Sequence, residues 1–556
     1  MIRSTLATLI RESLLTAQAA GDLPRFELPD DMAVERPQKE GVGDLTSTLP
    51  MKTARLAKMP PLKIAEAIAK HLPTGDFLAR VDVAPPGFIN VTLSDAWLAR
   101  QVETILAAGE DFGRADVGKG ARVQVEYVSA NPTGPLSVGS GRNAVLGDSL
   151  ANILERAGYT VQREFYVNDA GTQVTYFNES LFARYAQALG QSDEQVPENG
   201  YHGDYMVELG QHLASEVGDR YLHMPRADAL RQVGEWGTQR VLDSYREDLA
   251  LIGVHFDTWF SERTLYQSGL FERLLRELQE RGYALERDGA IWFASSNLGE
   301  DKDNVIVRSG GRGPTYFASD IAYHYNKFIE RGFDRVIDVW GADHQGHVSR
   351  VKTAVSAFGV DPERLTVLLY QLVTVKRGGQ VVRMSRRRGE IISLREVVDE
   401  VGADAVRYFL LARSADAQMD FDLELAKAES AENPVYYIQY AHARIASILR
   451  HAGPLVADNS NVLLLTSEPE LALIRKMIEL PEVIEKAAIN LEPHHLPHYA
   501  LELATVFHSF YKQCRVLSSD PADEETTKAR LKLVRAARVV FANTLRTMGM
   551  RVPEHM

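Results

Sequence analysis

The spacing of hydrophobic positions changes along the chain, and each change marks a different kind of structure. Near the N-terminus, apolar residues share one helical face at 61–72 and alternate with polar residues at 80–94. Further on, an apolar strand at 121–130, a helix at about 142–157 and a strand at 159–168 follow one another. This order predicts a βαβ unit and therefore a parallel sheet.

After residue 415 the pattern is almost wholly helical. The helices are predicted at 433–453, 471–490, 496–518 and 524–548, which together suit a helical bundle. In the middle of the chain, further strands are expected at 290–295, 304–309, 335–340 and 365–375. The predicted division is an N-terminal α/β domain at 1–118, an α/β domain with a mostly helical insertion at about 190–285 within 119–414, and an all-α domain at 415–556.

Composition narrows the class of protein and its expected cellular location. The chain of 556 residues is 45% hydrophobic and 25% charged, which is ordinary for a globular protein of several domains. No apolar run of about 18 residues is present, so no membrane span is expected. The first 18 residues form an amphipathic pattern with Arg11 and Glu12 and do not resemble a signal peptide. Cys514 is the single cysteine, which excludes an intramolecular disulfide and fits a reducing, cytoplasmic location.

The net charge of −13 argues only weakly against a nucleic-acid partner. Phosphate contacts need lysine and arginine, but one positive face can exist on a protein whose total charge is negative. Composition therefore leaves the partner open.

PLSVGSGR, at 135–142, lies between the first strand of the βαβ unit and its helix. Gly139 and Gly141 allow a backbone to pass close to a ligand, and the following helix points its free N–H groups at the same place. A phosphate is the favoured ligand. A plain tight turn is the alternative that the residues leave open.

Three further clusters carry candidate chemistry. GADHQGH, at 341–347, follows a predicted strand, and its polar side chains suit nucleotide hydrogen bonds, a metal ion or a structural role. The arginines at 383 and 386–388 suit a polyphosphate or a solvated basic turn. Tyr316 and Asp320 are four residues apart and share one face of a helix. A core tyrosine with a capping aspartate is the other interpretation of that pair.

The order of the motifs is more specific than any one of them. VEYVSANPTGPL, PLSVGSGR, REFYVNDAGTQ, TYFASDIAYH, GADHQGH and RMSRRRGE follow one another in the order typical of class I arginyl-tRNA synthetases, which this chain closely resembles over essentially its whole length. The resemblance implies an α/β fold: a class I Rossmann-type catalytic domain with a parallel sheet, preceded by an α/β domain that contacts tRNA and followed by an all-α anticodon-binding bundle.

The resemblance also implies a reaction and its partners. L-arginine and ATP would form arginyl-adenylate and pyrophosphate, and the arginyl group would pass to the terminal adenosine of tRNA-Arg. Activation in such enzymes usually needs the tRNA. Mg²⁺ would arrive with ATP, with no dedicated protein metal site, and a monomer is expected.

The motif positions assign roles residue by residue. Glu126, Ser129, Asn131, Tyr316, Asp320 and His344 match arginine-binding positions, and Asn168, Asp169 and Gln173 face the substrates with less defined roles. ATP binding falls to Pro135, Gly139, Gly141, Gly341, Asp343, His347, Met384 and Ser385, and catalysis to Ser137, Ser140, Arg383 and Arg386. In the helical end, Tyr436, Tyr437 and Tyr440 either stack on bases or pack in the core.

Two signatures depart from the family pattern. Ser137 and Ser140 stand where the family signature has histidines, and Arg386 stands for the second lysine of its KMSKS signature. Losing one pre-organised donor can cost roughly 3 kcal/mol of transition-state stabilisation. Three accounts remain open: a natural variant compensated by Arg142, Lys376 or the arginine loop, a deliberately weakened protein, or a tRNA-binding paralogue. A ligase for another amino acid is disfavoured, because Glu126 and the other pocket residues are present.

Overall fold

The computed structural model describes residues 2–37, 41–310, 313–382, 392–455 and 459–555. These residues form an N-terminal antiparallel sheet with helices, a central region built on a parallel sheet, and a C-terminal set of helices. The fold class predicted from the sequence is therefore confirmed. None of the helices in the described part of the chain is long and apolar enough to cross a membrane.

The N-terminal region packs helices on a four-stranded antiparallel sheet whose strand order is β1-β2-β4-β3. The apolar face predicted at 61–72 is buried through Ile64 and Ile68, and the sheet contributes Ile89 and Val91 to the same core. Its elements are α1 (Ile2–Ala19), β1 (Val34–Glu35), β2 (Leu45–Ser47), α2 (Leu49–Ala57), α3 (Pro61–His71), β3 (Leu78–Ala84), β4 (Phe88–Leu93) and α4 (Asp95–Ala108).

The central region contains most of the strands. They are β5 (Arg122–Glu126), β6 (Thr160–Val167), β7 (Thr258–Ser261), β8 (Ala284–Arg287), β9 (Ala290–Phe293), β10 (Asn304–Val307), β11 (Arg335–Gly341), β12 (Leu365–Tyr370), β13 (Val373–Arg377), β14 (Gln380–Val381) and β15 (Met419–Asp422). Its helices are α5 (Val138–Arg156), α6 (Thr172–Ala188), α7 (Asp204–Val217), α8 (Arg226–Leu251), α9 (Arg263–Gln267), α10 (Leu270–Glu280), α11 (Tyr316–Tyr325), α12 (Val348–Ala357), α13 (Leu394–Val401), α14 (Ala403–Leu411) and α15 (Leu423–Lys427).

Five of these strands form one parallel sheet with the order β12-β11-β5-β6-β7. The predicted βαβ unit is present as β5–α5–β6. Val123 and Val125 of β5 are fully buried, as expected for a central strand with both faces covered. β7 lies in this sheet although its residues fall within the range 190–285 that was predicted as a helical insertion.

Two predicted strands belong elsewhere. β9 and β10 pair antiparallel with each other in a separate three-stranded sheet, which has its own core around Leu274, Phe293 and Phe317. The single strand predicted at 365–375 breaks at Gln371 and Leu372, so that β12 joins the parallel sheet and β13 pairs with β14 and β15. The alternation of apolar residues cannot distinguish these arrangements, because it predicts that a segment is a strand but not which strands pair with it.

The C-terminal region is helical as predicted. One long helix predicted at 471–490 is in fact two, because Pro481 occupies the first turn of a new helix, where its missing N–H is not needed. The helices are α16 (Pro434–Ala452), α17 (Glu468–Met477), α18 (Leu480–Asn490), α19 (His495–Gln513) and α20 (Glu524–Thr547).

Candidate active site

The candidate residues gather at the C-terminal ends of β5, β6 and β11. β5 leads through α5 to β6 on one side, while β11 lies on its other side, so the strand order reverses between β5 and β11. Such a switch point leaves a crevice where α/β sheets bind their ligands. Glu126 and Asp338 pair across the two strands at this point.

The first turn of α5 carries the PLSVGSGR motif. The helix begins at Val138, four residues before the predicted start at about 142, because Ser137 is its N-cap and accepts a hydrogen bond from the Ser140 backbone N–H at 3.3 Å. The two serine hydroxyls also lie 3.3 Å apart. The first N–H groups of this helix and the helix dipole suit a phosphate.

The two glycines of that turn have different surroundings. A Cβ on Gly139 would meet only the Ser137 hydroxyl, at 3.5 Å, which leaves room for a ligand. A Cβ on Gly141 would lie 2.7 Å from Leu394 Cδ1, so this glycine allows α13 to pack closely. Pro135, at the start of the motif, is partly buried.

Arg142 does not reach toward the two serines. Its guanidinium is fully buried and donates to the Gln371 carbonyl at 2.7 Å and to the Ser414 carbonyl at 2.9 Å. Burial lowers the pKa of Arg142 to about 10. Lys376, the other candidate for compensation, pairs with Asp420 at 2.7 Å. The structure thus holds both side chains in contacts of their own.

Arg383, Met384, Ser385 and Arg386 lie outside the described residues. The residues that follow them return to the PLSVGSGR motif: Ser393 forms a bridge with Ser137, and the Leu394 N–H donates to the Leu136 carbonyl at 2.8 Å.

A buried ion network lies behind the end of β5. Glu126 accepts a hydrogen bond from the Ser129 hydroxyl at 2.9 Å and from Lys327 Nζ at 2.6 Å. Lys327 is fully buried and also donates to Asp338 at 2.8 Å, and Asp338 contacts His324 at 2.8 Å. Burial raises the pKa of Glu126 although Lys327 opposes this. Burial also opposes the charge of Asp338, but Lys327 and His324 hold its pKa below the ordinary value.

Tyr316 and Asp320 lie one turn apart on α11, which starts after Thr315 as N-cap. Tyr316 is 51% exposed, and its hydroxyl lies over Gly171, where a Cβ would be 3.1 Å away. Burial, together with the nearby Glu126 and Glu262 carboxylates, raises the pKa of Asp320 to about 7. A cation that enters the pocket would therefore stabilise the ionised form of Asp320.

Glu262 is a site residue that the sequence did not reveal. It follows β7, is 4% exposed, and accepts a hydrogen bond from the Ser319 hydroxyl at 2.6 Å. Burial raises its pKa, and the Asp169 carboxylate adds to the shift. No motif marks it, because its segment was predicted as part of a helical insertion.

Four other predicted residues line the same end of the sheet. Asn131 donates to Gln173 at 2.6 Å, and Asp169 accepts from the Ser261 hydroxyl at 2.6 Å. The side-chain amide of Asn168 lies 2.8 Å from Glu262. These contacts connect the loop after β5 with the ends of β6 and β7.

The GADHQGH segment begins where β11 ends. Gly341 is the last residue of the strand, and Asp343, His344 and His347 are exposed on the short helix that follows. The His344 ring lies 6.2 Å from the Trp340 ring and 6.2 Å from the His347 ring. Burial and the charges of Arg350 and His344 lower the pKa of His347. Within the described ranges, no group of three or more His, Cys, Asp or Glu side chains is arranged to hold a metal ion.

Family comparisons cover nearly the whole chain. The family model for the class I tRNA synthetase (R) catalytic domain matches residues 101–445, that for the arginyl tRNA synthetase N-terminal domain matches 4–93, and that for the DALR anticodon binding domain matches 438–556. An arginine–tRNA ligase of Dehalococcoides mccartyi strain BAV1 is 55% identical over 100% of this chain and 99% of its own. The chain belongs to the arginine–tRNA ligase family.

Other members of the arginine–tRNA ligase family agree in sequence and fold. The protein of Carboxydothermus hydrogenoformans is 48% identical over 98% of this chain and 99% of its own. The Thermus thermophilus arginyl-tRNA synthetase structure aligns over 100% of both chains with a TM-score of 0.75 at 23% identity, which supports the fold. The resemblance read from the motifs is confirmed, and the chain is an aminoacyl-tRNA ligase of class I.

The structure brings several predicted residues of this arginine–tRNA ligase family member into direct contact. Ser129 bonds Glu126, Ser137 contacts Ser140, and the charges of Glu126 and Asp320 influence each other. The individual substrate roles stay predictions, as do the domain boundaries at 118/119 and 414/415.

Proposed function

We propose that this chain activates L-arginine with ATP and transfers the arginyl group to the terminal adenosine of tRNA-Arg. The observation that carries the proposal is a pair of carboxylates, Asp320 and Glu262, which have no cation partner among the described residues and lie beside a helix N-terminus that suits a phosphate. A substrate with a guanidinium group at one end and a carboxylate at the other fits between them.

The charges of the pocket support a cationic substrate. Lys327 lies between Glu126 and Asp338, and Arg331 pairs with Glu164, so these carboxylates are compensated. Among the described residues, neither Asp320 nor Glu262 has an ion-pair partner. Their raised pKa values reflect this, with burial as the main cause for both. A bound guanidinium would supply the missing positive charge and hold both groups ionised.

ATP is expected at the first turn of α5. The triphosphate would meet the N–H groups of residues 138–140 and the hydroxyls of Ser137 and Ser140, and Gly139 leaves space for it. We assign the adenosine to the Asp343–His347 segment at the neighbouring strand end. Mg²⁺ would be carried by ATP and neutralise the phosphates, and positioning with charge neutralisation would supply most of the rate.

Two assays test the proposal directly. Arginine-dependent exchange of pyrophosphate into ATP measures the first step, and charging of tRNA-Arg measures the second, with tRNA present in both. We expect both signals, and we expect arginine to be preferred when every amino acid is offered in turn. The absence of any arginine- and tRNA-dependent signal at high enzyme concentration would overturn the proposal.

The two serines should be adapted to this site. We expect the Ser137→His, Ser140→His double variant to be less stable and no faster in pyrophosphate exchange than the original chain. Ser137 caps α5, and replacing such a cap typically costs about 1 kcal/mol. Ser140 is only 8% exposed, so an imidazole there crowds its surroundings.

Thermal unfolding and the exchange rate check this prediction, with each single variant measured beside the double. A turnover rate that rises tenfold or more in the double variant would mean that the serines impair the original site.

The tRNA anticodon is expected at a groove between α16 and α19. Tyr436 and Tyr440 stack with ring centroids 6.0 Å apart, and the Arg444 guanidinium lies 4.4 Å from the Tyr440 ring and 4.6 Å from the Tyr511 ring. These side chains line a surface cavity of about 640 Å³. Aromatic faces beside arginine suit nucleotide bases and their phosphates.

Replacing Tyr440 by alanine should therefore weaken tRNA-Arg binding. Tyr440 is 37% exposed, and loss of one stacked base costs roughly 1–3 kcal/mol, or about 5- to 150-fold in Kd. Titration with tRNA-Arg measures the effect. The KM for arginine at saturating tRNA and the thermal midpoint serve as controls, and an unchanged Kd would exclude Tyr440 from the interface.

A monomer in the cytoplasm is the expected state of the enzyme. The single cysteine, Cys514, is buried and fits a reducing compartment.

A further inference from the structure

The loop between β5 and α5, residues 127–137, has few backbone hydrogen bonds of its own. Pro132 and Pro135 have no N–H, and the positive φ angles of Val128 and Ser129, +67° and +40°, keep the chain out of the strand conformation. Its internal bonds include Ser129 N–H to the Tyr127 carbonyl and Thr133 N–H to the Asn131 carbonyl. Its remaining backbone carbonyls need hydrogen-bond donors from other parts of the chain.

Those donors are tyrosine hydroxyls from the helical insertion. The hydroxyl of Tyr245, on α8, lies 2.6 Å from the Gly134 carbonyl and 2.9 Å from the Asn131 carbonyl, and its single proton is shared between the two acceptors. Tyr205, in the first turn of α7, donates to the Thr133 carbonyl at 2.7 Å. Three of the four carbonyls from residue 131 to residue 134 thus face the insertion.

The contact is close as well as polar. Tyr245 is only 1% exposed, so its ring cannot shift without disturbing the core. A Cβ on Gly134 would lie 3.0 Å from the Tyr205 ring, so the tyrosine covers the loop directly. A backbone hydrogen bond holds the far end of the loop, where the Leu136 carbonyl accepts from the Leu394 N–H at 2.8 Å. The loop is therefore fixed from two sides, by the insertion and by the start of α13.

The part of this loop from Asn131 to Ser137 has a candidate substrate-binding residue at each end. Asn131, whose carbonyl bonds Tyr245, is predicted to bind the arginine α-amino group, and Ser137 caps the helix that would hold the phosphates. The reacting carboxylate of arginine and the α-phosphate of ATP must meet between them. Small displacements of such groups are costly, since about 1 Å of misplacement can cost about 100-fold in rate.

We propose that Tyr245 and Tyr205 are positioning residues for arginine activation: their hydroxyls set the Asn131–Ser137 loop at the distance that adenylate formation requires. The inference rests on the proposed function and extends it, because it gives the helical insertion a part in the first chemical step. Neither tyrosine is proposed to touch a substrate.

The test compares two conservative variants of the full-length chain. Tyr245→Phe removes the hydroxyl and keeps the ring. Tyr185→Phe is the matched control, because Tyr185 is fully buried on α6, which packs against α7 and α8 of the insertion, and its hydroxyl donates to the Gly218 carbonyl at 2.6 Å, away from the loop. Pyrophosphate exchange with tRNA present gives kcat and KM for arginine and ATP, and thermal unfolding gives stability.

We expect kcat of Tyr245→Phe to fall by about 10- to 100-fold, with KM for ATP changed less than about threefold. The kcat of Tyr205→Phe should also fall, by a smaller factor. Tyr185→Phe should keep kcat within about twofold while its thermal midpoint drops as much as that of Tyr245→Phe.

Equal kcat values for Tyr245→Phe and Tyr185→Phe would overturn the inference. It would also be overturned if kcat fell in both variants in proportion to the drop in their thermal midpoints. An original chain without any arginine-dependent exchange would instead refute the proposed function, so the two failures are distinguishable.

Discussion

Replacing Asp320 by asparagine should raise KM for arginine by about two orders of magnitude or more. The carboxylate is partly buried on α11 and has no ion-pair partner among the described residues, so a bound guanidinium would be its counter-ion. Removing one partner from a buried charged pair costs about 2–5 kcal/mol. Pyrophosphate exchange at varied arginine concentration measures the change.

The pH dependence of arginine binding gives this prediction a sharper form. Burial and the neighbouring carboxylates raise the pKa of Asp320 to about 7 in the free enzyme. Below this pH the group is protonated and cannot attract a guanidinium, so KM for arginine should rise as pH falls from 8 to 6. In Asp320→Asn this part of the pH profile should be flat, since asparagine does not titrate.

Two controls separate loss of binding from loss of structure. A carboxyl group whose pKa is raised by the fold is less stable ionised in the folded chain than in the unfolded chain. The thermal midpoint of Asp320→Asn at pH 8 should therefore be at least that of the original chain. Asp243→Asn, which changes only surface contacts with Arg246 and Gln239, should leave KM unchanged. An unchanged KM for arginine in Asp320→Asn would show that Asp320 does not bind the guanidinium.

The sequence predicted those parts of the site that lie on motifs. Glu126, Tyr316 and Asp320 could be identified by their match to the family's motifs, while spacing alone showed only that Tyr316 and Asp320 share one face of a helix. Glu262 could not, because it reaches the pocket only through the pairing of β7 with β6. Lys327 could not either, since a lone lysine in a sequence is expected at the surface.

The start of α5 shows why local signals gave only part of the fold. Glycine and serine disfavour helix interiors, so the Gly-Ser-Gly run suggested a loop up to about 142. In the structure the N-cap of Ser137 and the burial of Val138 and Gly141 against α13 compensate for that preference. Tertiary packing therefore decides where the predicted phosphate-binding turn ends: Ser137 caps α5, and Ser140 lies in its first turn.

The buried ion network also has a defined energetic role. Lys327 is fully buried among Glu126, Asp338 and the Tyr323 ring, whose centroid is 4.0 Å from Nζ. Burial alone would lower the pKa of Lys327, but Asp338 and Glu126 raise it above the ordinary value. The ammonium therefore stays charged, and it keeps the Glu126 oxygens oriented toward Ser129 and the pocket.

Replacing Lys327 by methionine should destabilise the catalytic region by about 3–5 kcal/mol, because two buried carboxylates lose their shared cation. Denaturant unfolding, followed at the transition of this region, measures the loss. Lys352→Met is the matched control, since its partner Glu363 is 79% exposed and surface pairs of this kind contribute about 1 kcal/mol or less. Adding Glu126→Gln to Lys327→Met should restore part of the lost stability, because it removes one uncompensated charge. Equal losses in Lys327→Met and Lys352→Met would show that the network does not depend on the buried ammonium.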